Sequence, residues 1–164
     1  MDDGYYDSIA YGYNELHAEE QERKYAVILR RLKMDKKDKV LDVGCGTGLF
    51  FRHLPKGSKG IDPSEGLLKQ VPKKFKRMAK KASAESIPYP DNSFDVVVSV
   101  TALQNAKNPE KAVMEMKRVG KGKFGISFPK RSPKRKLLEA ILKKEFPAGK
   151  LVEEDKDLML IANI

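Results

Sequence analysis

The stretch VLDVGCGTGLF, residues 40–50, is the part of this sequence that most restricts the fold. An apolar run of strand-forming residues passes directly into three glycines at alternate positions, Gly44, Gly46 and Gly48. Glycine adopts backbone conformations that other residues avoid, and it has no side chain to keep a ligand away from the backbone. The pattern therefore predicts a buried strand, a tight loop at its carboxyl end and a ligand held against that loop.

The rest of the chain alternates between strand and helix patterns. Periodicity and capping residues predict helices at 18–33, 64–72, 108–119 and 132–146, and one that starts after the glycine loop and ends at Pro55. Strands are predicted at 39–43, 59–62, 94–100, 122–128, 150–154 and 157–164, with a weak edge strand at 75–79. This order predicts an α/β fold: a doubly wound, mostly parallel seven-stranded sheet with a C-terminal antiparallel hairpin.

Composition limits the class of protein further. No repeat or linker interrupts the 164 residues, which we expect to form one domain, with 1–38 as an N-terminal helical lid segment and 39–164 as a Rossmann-like core. The single cysteine excludes an internal disulfide, and with only two histidines no metal site is expected. No run of about 18 apolar residues is present. Without a signal-peptide pattern, we expect a cytoplasmic protein with no membrane partner.

The spacing of the glycines and the nearby acids indicate the kind of ligand. The loop reads G-x-G-x-G rather than the G-x-G-x-x-G that cradles a pyrophosphate. Asp42 stands just before the loop, and Asp62 ends the second strand. A carboxylate attracts a sulfonium or ammonium group and repels a phosphate, and Asp62 can accept hydrogen bonds from ribose hydroxyls. These residues favour a positively charged nucleoside over a dinucleotide.

Four segments together resemble a known family. DVGCGTG, GIDPS, AESIPYPDNSFD and the strand VVVSV occur in the order and spacing of the class I S-adenosylmethionine-dependent methyltransferases, and the sequence is most similar to the small methyltransferase-type-11-like group. The resemblance spans roughly residues 5–128. It implies a Rossmann-like methyltransferase fold, S-adenosyl-L-methionine as cofactor, S-adenosyl-L-homocysteine as product and methyl transfer as the reaction.

The resemblance also implies roles for matching positions. Asp62 would bind the ribose and Pro63 would lie near the adenine. The methionine moiety would contact Asp42, Gly44, Cys45, Gly46, Thr47 and Gly48, the adenine pocket would contain Ser83, Ala84 and Glu85, and the floor would contain Ser99 and Val100. Ser83 departs from the family pattern, which often has an aspartate there. Tyr13 would belong to a lid, although the N-terminal tyrosines could equally pack on the sheet.

The sequence does not assign a catalytic base. Thr101, Gln104 and Asn105 follow the fourth strand and either hydrogen-bond a substrate or cap the next segment. His17 would act as a base only if the N-terminal segment closes over the site. The N/D-P-P-Y/F motif common in methyltransferases that act on exocyclic or amide nitrogens is not found at this position.

Charge gives the substrate hypothesis. The net charge is +10, and residues 39–138 carry 22 Lys and Arg against 8 Asp and Glu. A lysine-rich surface is also typical of heat-adapted proteins. The stretch 129–136 follows the fifth strand, so Lys130, Arg131, Lys134 and Arg135 are predicted to bind an anionic substrate at the rim of the site. RNA (tRNA or rRNA) or a translation-associated protein is the favoured substrate.

Two other functions stay open on the sequence alone. One is a methyltransferase for a small metabolite such as a quinone or lipid precursor, and the other is a non-catalytic S-adenosylmethionine-binding protein. By analogy with related tRNA and translation-factor methyltransferases, a small zinc-binding activator subunit is a candidate partner.

Overall fold

One seven-stranded sheet with helices on both faces forms the fold. The computed structural model describes the backbone of residues 3–164 and the side chains of residues 18–164. The strands are β1 (Val40–Val43), β2 (Lys59–Asp62), β3 (Ala79–Lys81), β4 (Phe94–Val100), β5 (Gly120–Pro129), β6 (Lys150–Glu154) and β7 (Asp157–Asn163). The helices are α1 (Asp3–Leu32), α2 (Glu65–Lys69), α3 (Pro109–Val119) and α4 (Arg135–Glu145). No helix within the described residues is long and apolar enough to cross a membrane.

The strand order is β3-β2-β1-β4-β5-β7-β6. Strands β1 to β5 pair in parallel, and β7 pairs antiparallel with both β5 and β6. The predicted fold class, with its closing antiparallel hairpin, is confirmed. The strand order reverses between β1 and β4, the place where open α/β sheets leave room for a ligand beyond the carboxyl ends of their strands.

Helices cover both faces of the sheet because the central strands are apolar on both sides. All four residues of β1 are buried. The two larger hydrophobic cores lie one on each face: the first contains Val113 and Met116 of α3 together with Leu138 of α4, and the second contains Tyr25, Ile28 and Leu32 of α1. Buried parallel strands flanked by amphipathic helices account for both cores.

Close packing of α1 on the sheet depends on a glycine in β5. A Cβ atom added at Gly125 would lie 2.2 Å from the Cγ2 atom of Ile28. Ile28, with Tyr25 and Leu32 on the same helix, therefore packs α1 onto the sheet as part of the core.

Two of the three helix caps predicted from the sequence are confirmed. The Ser64 side chain accepts a hydrogen bond from the Leu67 amide, and the Asn108 side chain accepts one from Lys111, with Pro109 as the first residue of α3. Ser132 does not cap a helix as expected, because its hydroxyl accepts a hydrogen bond from the amide of Lys134. That bond closes a turn, so α4 begins at Arg135.

Two short segments also differ from expectation. The segment after the glycine loop forms only a 3₁₀-helix at Phe51–His53, since Pro55 leaves no room for a longer helix. The weak strand expected at 75–79 is mostly a 3₁₀-helix, Lys73–Met78, and β3 follows it. Neither difference alters the strand order.

Candidate functional site

A cavity of about 470 Å³ opens at the carboxyl ends of β1, β2 and β4. Among the predicted cofactor residues, eight line it: Gly44, Asp62, Pro63, Ser83, Ala84, Glu85, Ser99 and Val100. Five others lie in or beneath the glycine loop and do not line the cavity: Asp42, Cys45, Gly46, Thr47 and Gly48. The side chains of Tyr13 and His17 lie outside the described residues.

The glycine loop turns sharply at the end of β1. The φ angles of Gly44, Gly46 and Gly48 are +83°, +55° and +72°, in the region that side chains disfavour. The amides of Gly44 and Cys45 both donate to the carbonyl of Ile61, at 2.8 and 2.9 Å, which fixes the loop against β2. A Cβ atom at Gly44 would lie 2.5 Å from the Cβ atom of Ala102. The loop needs glycine at position 44 for both its conformation and its packing.

Asp62 presents a fixed carboxylate to the cavity. Its Oδ2 atom accepts from the Gly46 amide at 2.9 Å, and its Oδ1 atom accepts from the Ser64 amide at 2.8 Å. The residue is only 7% exposed, and it lines the cavity. A carboxylate has about four acceptor positions, so these two bonds orient the group without exhausting it. Asp62 can therefore accept hydrogen bonds from ligand hydroxyls.

Asp42 lies beneath the loop and is completely buried. The Tyr25 hydroxyl donates to its carboxylate at 2.6 Å. Burial raises the pKa of Asp42 to about 7, the Tyr25 hydrogen bond opposes that rise, and the negative charge of Asp62 adds to it. The acid thus carries a proton through much of the mildly acidic range.

This raised pKa makes stability depend on pH. The folded chain binds a proton at Asp42 more tightly than the unfolded chain does, so the free energy of unfolding should fall as pH rises from about 4 to about 7 and change little above that. We expect Asp42→Asn, which keeps the shape without the titration, to remove this contribution, on the order of a few kcal/mol. Urea unfolding of both proteins at pH 5 and pH 8 measures the difference. Equal slopes with pH in the two proteins would contradict the assignment.

Ser99, at the end of β4, contributes an unpaired polar atom. Its hydroxyl oxygen is buried and has no hydrogen-bond partner within the described residues, and the residue lines the cavity. A buried polar group without a partner costs about 1–3 kcal/mol. A polar ligand in the cavity would supply the missing bond.

Some of the polar residues after β4 already form hydrogen bonds within the protein. The Gln104 side chain donates to the carbonyl of Thr101 at 2.8 Å, which is the local capping alternative. The hydroxyl of Thr101 donates to Asp157 at 3.0 Å and accepts from Lys24 at 3.0 Å. Thr101 and Asn105 line the cavity, whereas Gln104 does not.

Two lysines of the cavity were missed by the sequence analysis. Lys107 and Lys111 line its mouth, on either side of the Asn108 cap. The signal was present, because a helix that follows β4 starts at the same sheet edge as the glycine loop. Within the described residues neither lysine forms a close ion pair, although the charge of Lys111 helps to lower the pKa of Glu115, four residues along α3.

The four predicted substrate contacts fall into two groups. Lys130 pairs with Glu153 at 3.4 Å, and Arg135 lies 3.6 Å from Glu139. Lys134 donates to the carbonyl of Ala106, a residue that lines the cavity, at 3.1 Å. Arg131 is exposed and forms no ion pair in the described part of the chain. The stretch therefore reaches the cavity wall through Lys134, and none of the four residues lines the cavity itself.

Comparison with known proteins points to a methyltransferase family. Residues 41–123, half of the chain, match the family described as "Methyltransferase domain". A ubiquinone/menaquinone biosynthesis C-methyltransferase of Shewanella piezotolerans is 33% identical over 139 residues, which is 73% of this chain and 55% of that protein. Across the first three curated relatives the chain spans 37 to 55% of their lengths.

Two solved structures share the whole fold. One is the complex between the Haloferax volcanii Trm112 methyltransferase activator and a methyltransferase, with TM-score 0.75, 17% identity and 96% of each chain covered. The other is magnesium protoporphyrin IX methyltransferase from Synechocystis with bound S-adenosylmethionine, with TM-score 0.75, 15% identity and coverage of 99% of this chain and 97% of that one. At these identities the likeness concerns the fold alone.

Proposed function

Since this chain belongs to the methyltransferase domain family and has the fold of the class I S-adenosylmethionine-dependent methyltransferases, we propose that it transfers a methyl group from S-adenosyl-L-methionine to RNA. The observation that carries the cofactor assignment is the Asp62 carboxylate, held by two backbone amides in the wall of the cavity. The cationic lysines at the mouth of the same cavity support the choice of an anionic substrate.

The residues of the cavity fit the cofactor chemically. Asp62 would accept from the ribose hydroxyls, the buried Ser99 hydroxyl would gain a partner, and Ile61 and Met116 would contact the apolar part of the ligand. Gly44, the residue of the glycine loop that lines the cavity, would approach the methionine moiety with its backbone. Bound S-adenosylmethionine supplies an electrophilic methyl group on sulfonium sulfur. The chain contributes by fixing the orientation of the ligands and limiting their access to water, which can account for much of such a rate.

The base remains unassigned. Among residues 18–164, no histidine, cysteine or tyrosine lines the cavity, and its ionisable members are Asp62, Glu85, Lys107 and Lys111. Glu85 accepts a hydrogen bond from the Asn108 amide at 3.1 Å, which holds it near the mouth. Positioning, rather than a dedicated base, is therefore the contribution that these residues support.

The proposed RNA surface surrounds the mouth of the cavity. Lys107 and Lys111 line the opening, and Lys134 and Arg131 follow β5 beside it. A group of cations attracts a phosphate backbone, with strong dependence on salt. Glu85 at the mouth and Glu115 along α3 partly offset the charge of the two lysines. Lys130 and Arg135 contribute less, because each already faces Glu153.

Charge reversal at the mouth tests the RNA proposal. We expect Lys107→Glu/Lys111→Glu to raise the KM for RNA by about tenfold or more and to leave the affinity for S-adenosylhomocysteine within about twofold, since the two lysines would contact phosphates. Methyl transfer from radiolabelled S-adenosylmethionine to bulk tRNA and rRNA, measured at two salt concentrations, gives the comparison.

The control is Lys36→Glu/Lys37→Glu, which changes the net charge equally at two exposed positions just before β1. The amino-terminal end of β1 lies at the opposite edge of the sheet from the cavity. Equal losses in the two double variants would indicate general charge attraction rather than a site. No label in any RNA fraction with wild-type protein would contradict RNA as the substrate.

A second candidate function is supported by the curated relatives. The Shewanella C-methyltransferase acts in ubiquinone and menaquinone biosynthesis, as its name states. The cavity of this chain also has apolar walls, including Val43, Leu67 and Leu103. If radiolabel enters only an organic extract of cells and no RNA or protein fraction, a small apolar substrate is the correct assignment.

We also propose a small activator protein as a partner. The fold likeness to a methyltransferase in complex with the Trm112 activator supports this choice. Purified chain that transfers methyl groups at an unchanged rate with and without an added Trm112-type protein would exclude it.

A further inference from the structure

A buried charge cluster links α1, β7 and the cavity. The Nζ atom of Lys24 lies 3.2 Å from the Oδ1 atom of Asp157, 3.0 Å from Glu20 and 3.0 Å from the hydroxyl of Thr101. The side chains of Lys24 and Asp157 are 7% and 1% exposed. A buried ion pair is weak support for stability, since removing two charges from water offsets their attraction. Stability therefore does not explain why the cluster is buried, whereas its hydrogen bonds to Thr101 do.

Thr101 has a backbone conformation that threonine rarely adopts. Its φ angle is +53°, which is unusual for a β-branched residue. The cluster and β5 hold it there. Its hydroxyl donates to the Oδ2 atom of Asp157 and accepts from Lys24, and its amide donates to the Ser127 carbonyl at 3.1 Å. Such strain persists only where the surroundings impose it.

The strained turn controls the position of the next residue. Ala102 lies against the glycine loop so closely that a Cβ atom at Gly44 would be 2.5 Å from its own. Thr101, Ala102 and Gly44 all line the cavity. Relaxation of Thr101 to negative φ would move Ala102 and loosen the contact with the loop that the proposed function assigns to the cofactor.

We propose that Lys24 and Asp157 are positioning residues for the cofactor site, which hold Thr101 in its strained turn and thereby set the width of the cavity between Ala102 and Gly44. This inference rests on the proposed function, in which the cavity holds S-adenosylmethionine. It assigns a role to two residues that do not line the cavity and come from opposite ends of the described chain.

Replacement of the pair by apolar residues tests the proposal. Lys24→Met/Asp157→Leu removes both anchors of the Thr101 hydroxyl, and exchanges of this kind often preserve stability. We expect S-adenosylhomocysteine to bind about tenfold more weakly by calorimetry. The backbone strain at Thr101 would be released in the free protein and would have to be restored when the ligand binds. Adding Thr101→Gly should restore most of the affinity, because glycine adopts positive φ without strain.

A matched control is available beside the cluster. Arg23 and Asp155 join α1 to the turn between β6 and β7 at 4.0 Å, but they are 72% and 65% exposed. We expect Arg23→Met/Asp155→Asn to leave S-adenosylhomocysteine affinity within about twofold, because an exposed pair contributes little. Asparagine tolerates the positive φ of 49° at position 155.

The possible results distinguish a failure of the proposed function from a failure of the positioning role. If wild-type protein binds neither S-adenosylmethionine nor its product, the proposed function fails. If wild type binds and the double variant binds equally well, or loses affinity that Thr101→Gly does not restore, the positioning role is refuted. Should the double variant not fold by circular dichroism, Thr101→Val leaves the ion pair in place and removes only the hydroxyl. The same tenfold loss is then expected, and unchanged affinity would refute the role.

Discussion

Asp62→Ala should weaken binding of S-adenosylhomocysteine by about 1.5–3 kcal/mol, a factor of roughly 10 to 150 in Kd. The carboxylate is held by the amides of Gly46 and Ser64, so it would meet the ribose hydroxyls without a further loss of side-chain freedom. Its removal deletes the hydrogen bonds to the ligand and leaves two buried amides without their acceptor. Calorimetry with S-adenosylhomocysteine measures the effect directly.

Asp95→Ala is the matched control for this prediction. Asp95 also accepts a backbone hydrogen bond, from the Lys39 amide at 2.8 Å, but it lies at the amino-terminal end of β4, on the far edge of the sheet. We expect its replacement to lower stability slightly and to leave the Kd unchanged. Tight binding of S-adenosylhomocysteine by Asp62→Ala, with the protein folded, would remove Asp62 from the site.

Gly44→Ala should reduce the affinity for S-adenosylhomocysteine by at least about tenfold. The left-handed φ of +83° costs an alanine roughly 1–2 kcal/mol, and the new methyl group would overlap Ala102. The loop or the strand end opposite it must shift, and both border the cavity. The same substitution should lower Tm, which a thermal melt records.

The two causes can be separated by a second change. Ala102→Gly removes the overlap but not the backbone strain, so Gly44→Ala/Ala102→Gly should recover part of the affinity. No recovery would mean that the backbone conformation alone is responsible. Wild-type affinity in Gly44→Ala itself would show that the loop does not contact the cofactor.

Much of the fold could be predicted because its signals are local. The apolar run of β1 and the glycines of the loop after it mark a strand followed by a tight turn. The caps at Ser64 and Asn108 were correctly placed from side chains that bond within three residues. The carboxyl ends of parallel strands meet at a common edge, so residue order and backbone geometry were sufficient to place Asp62 at the site. Ser99 was placed there only by the family resemblance, and both residues line the cavity.

Contacts between distant segments could not be predicted in this way. Lys24 and Asp157 are separated by most of the chain, and nothing in either segment signals the other. Lys130 and Arg135 were expected to be available to substrate, but Glu153 reaches them from β6, whose distance from the β5–α4 turn depends on packing. Lys107 and Lys111 were overlooked because they stand in a stretch interpreted only for its helix cap.

The hydrogen bond from Tyr25 to Asp42 has a consequence for how this protein can be divided. The donor belongs to the helix that precedes the sheet, and the acceptor belongs to the first strand. A fragment that began at Lys39 would contain every strand and every glycine of the loop, yet it would leave a deeply enclosed acid without its phenol. We therefore expect the smallest unit that folds on its own to start upstream of the sheet, within the helix that carries Tyr25.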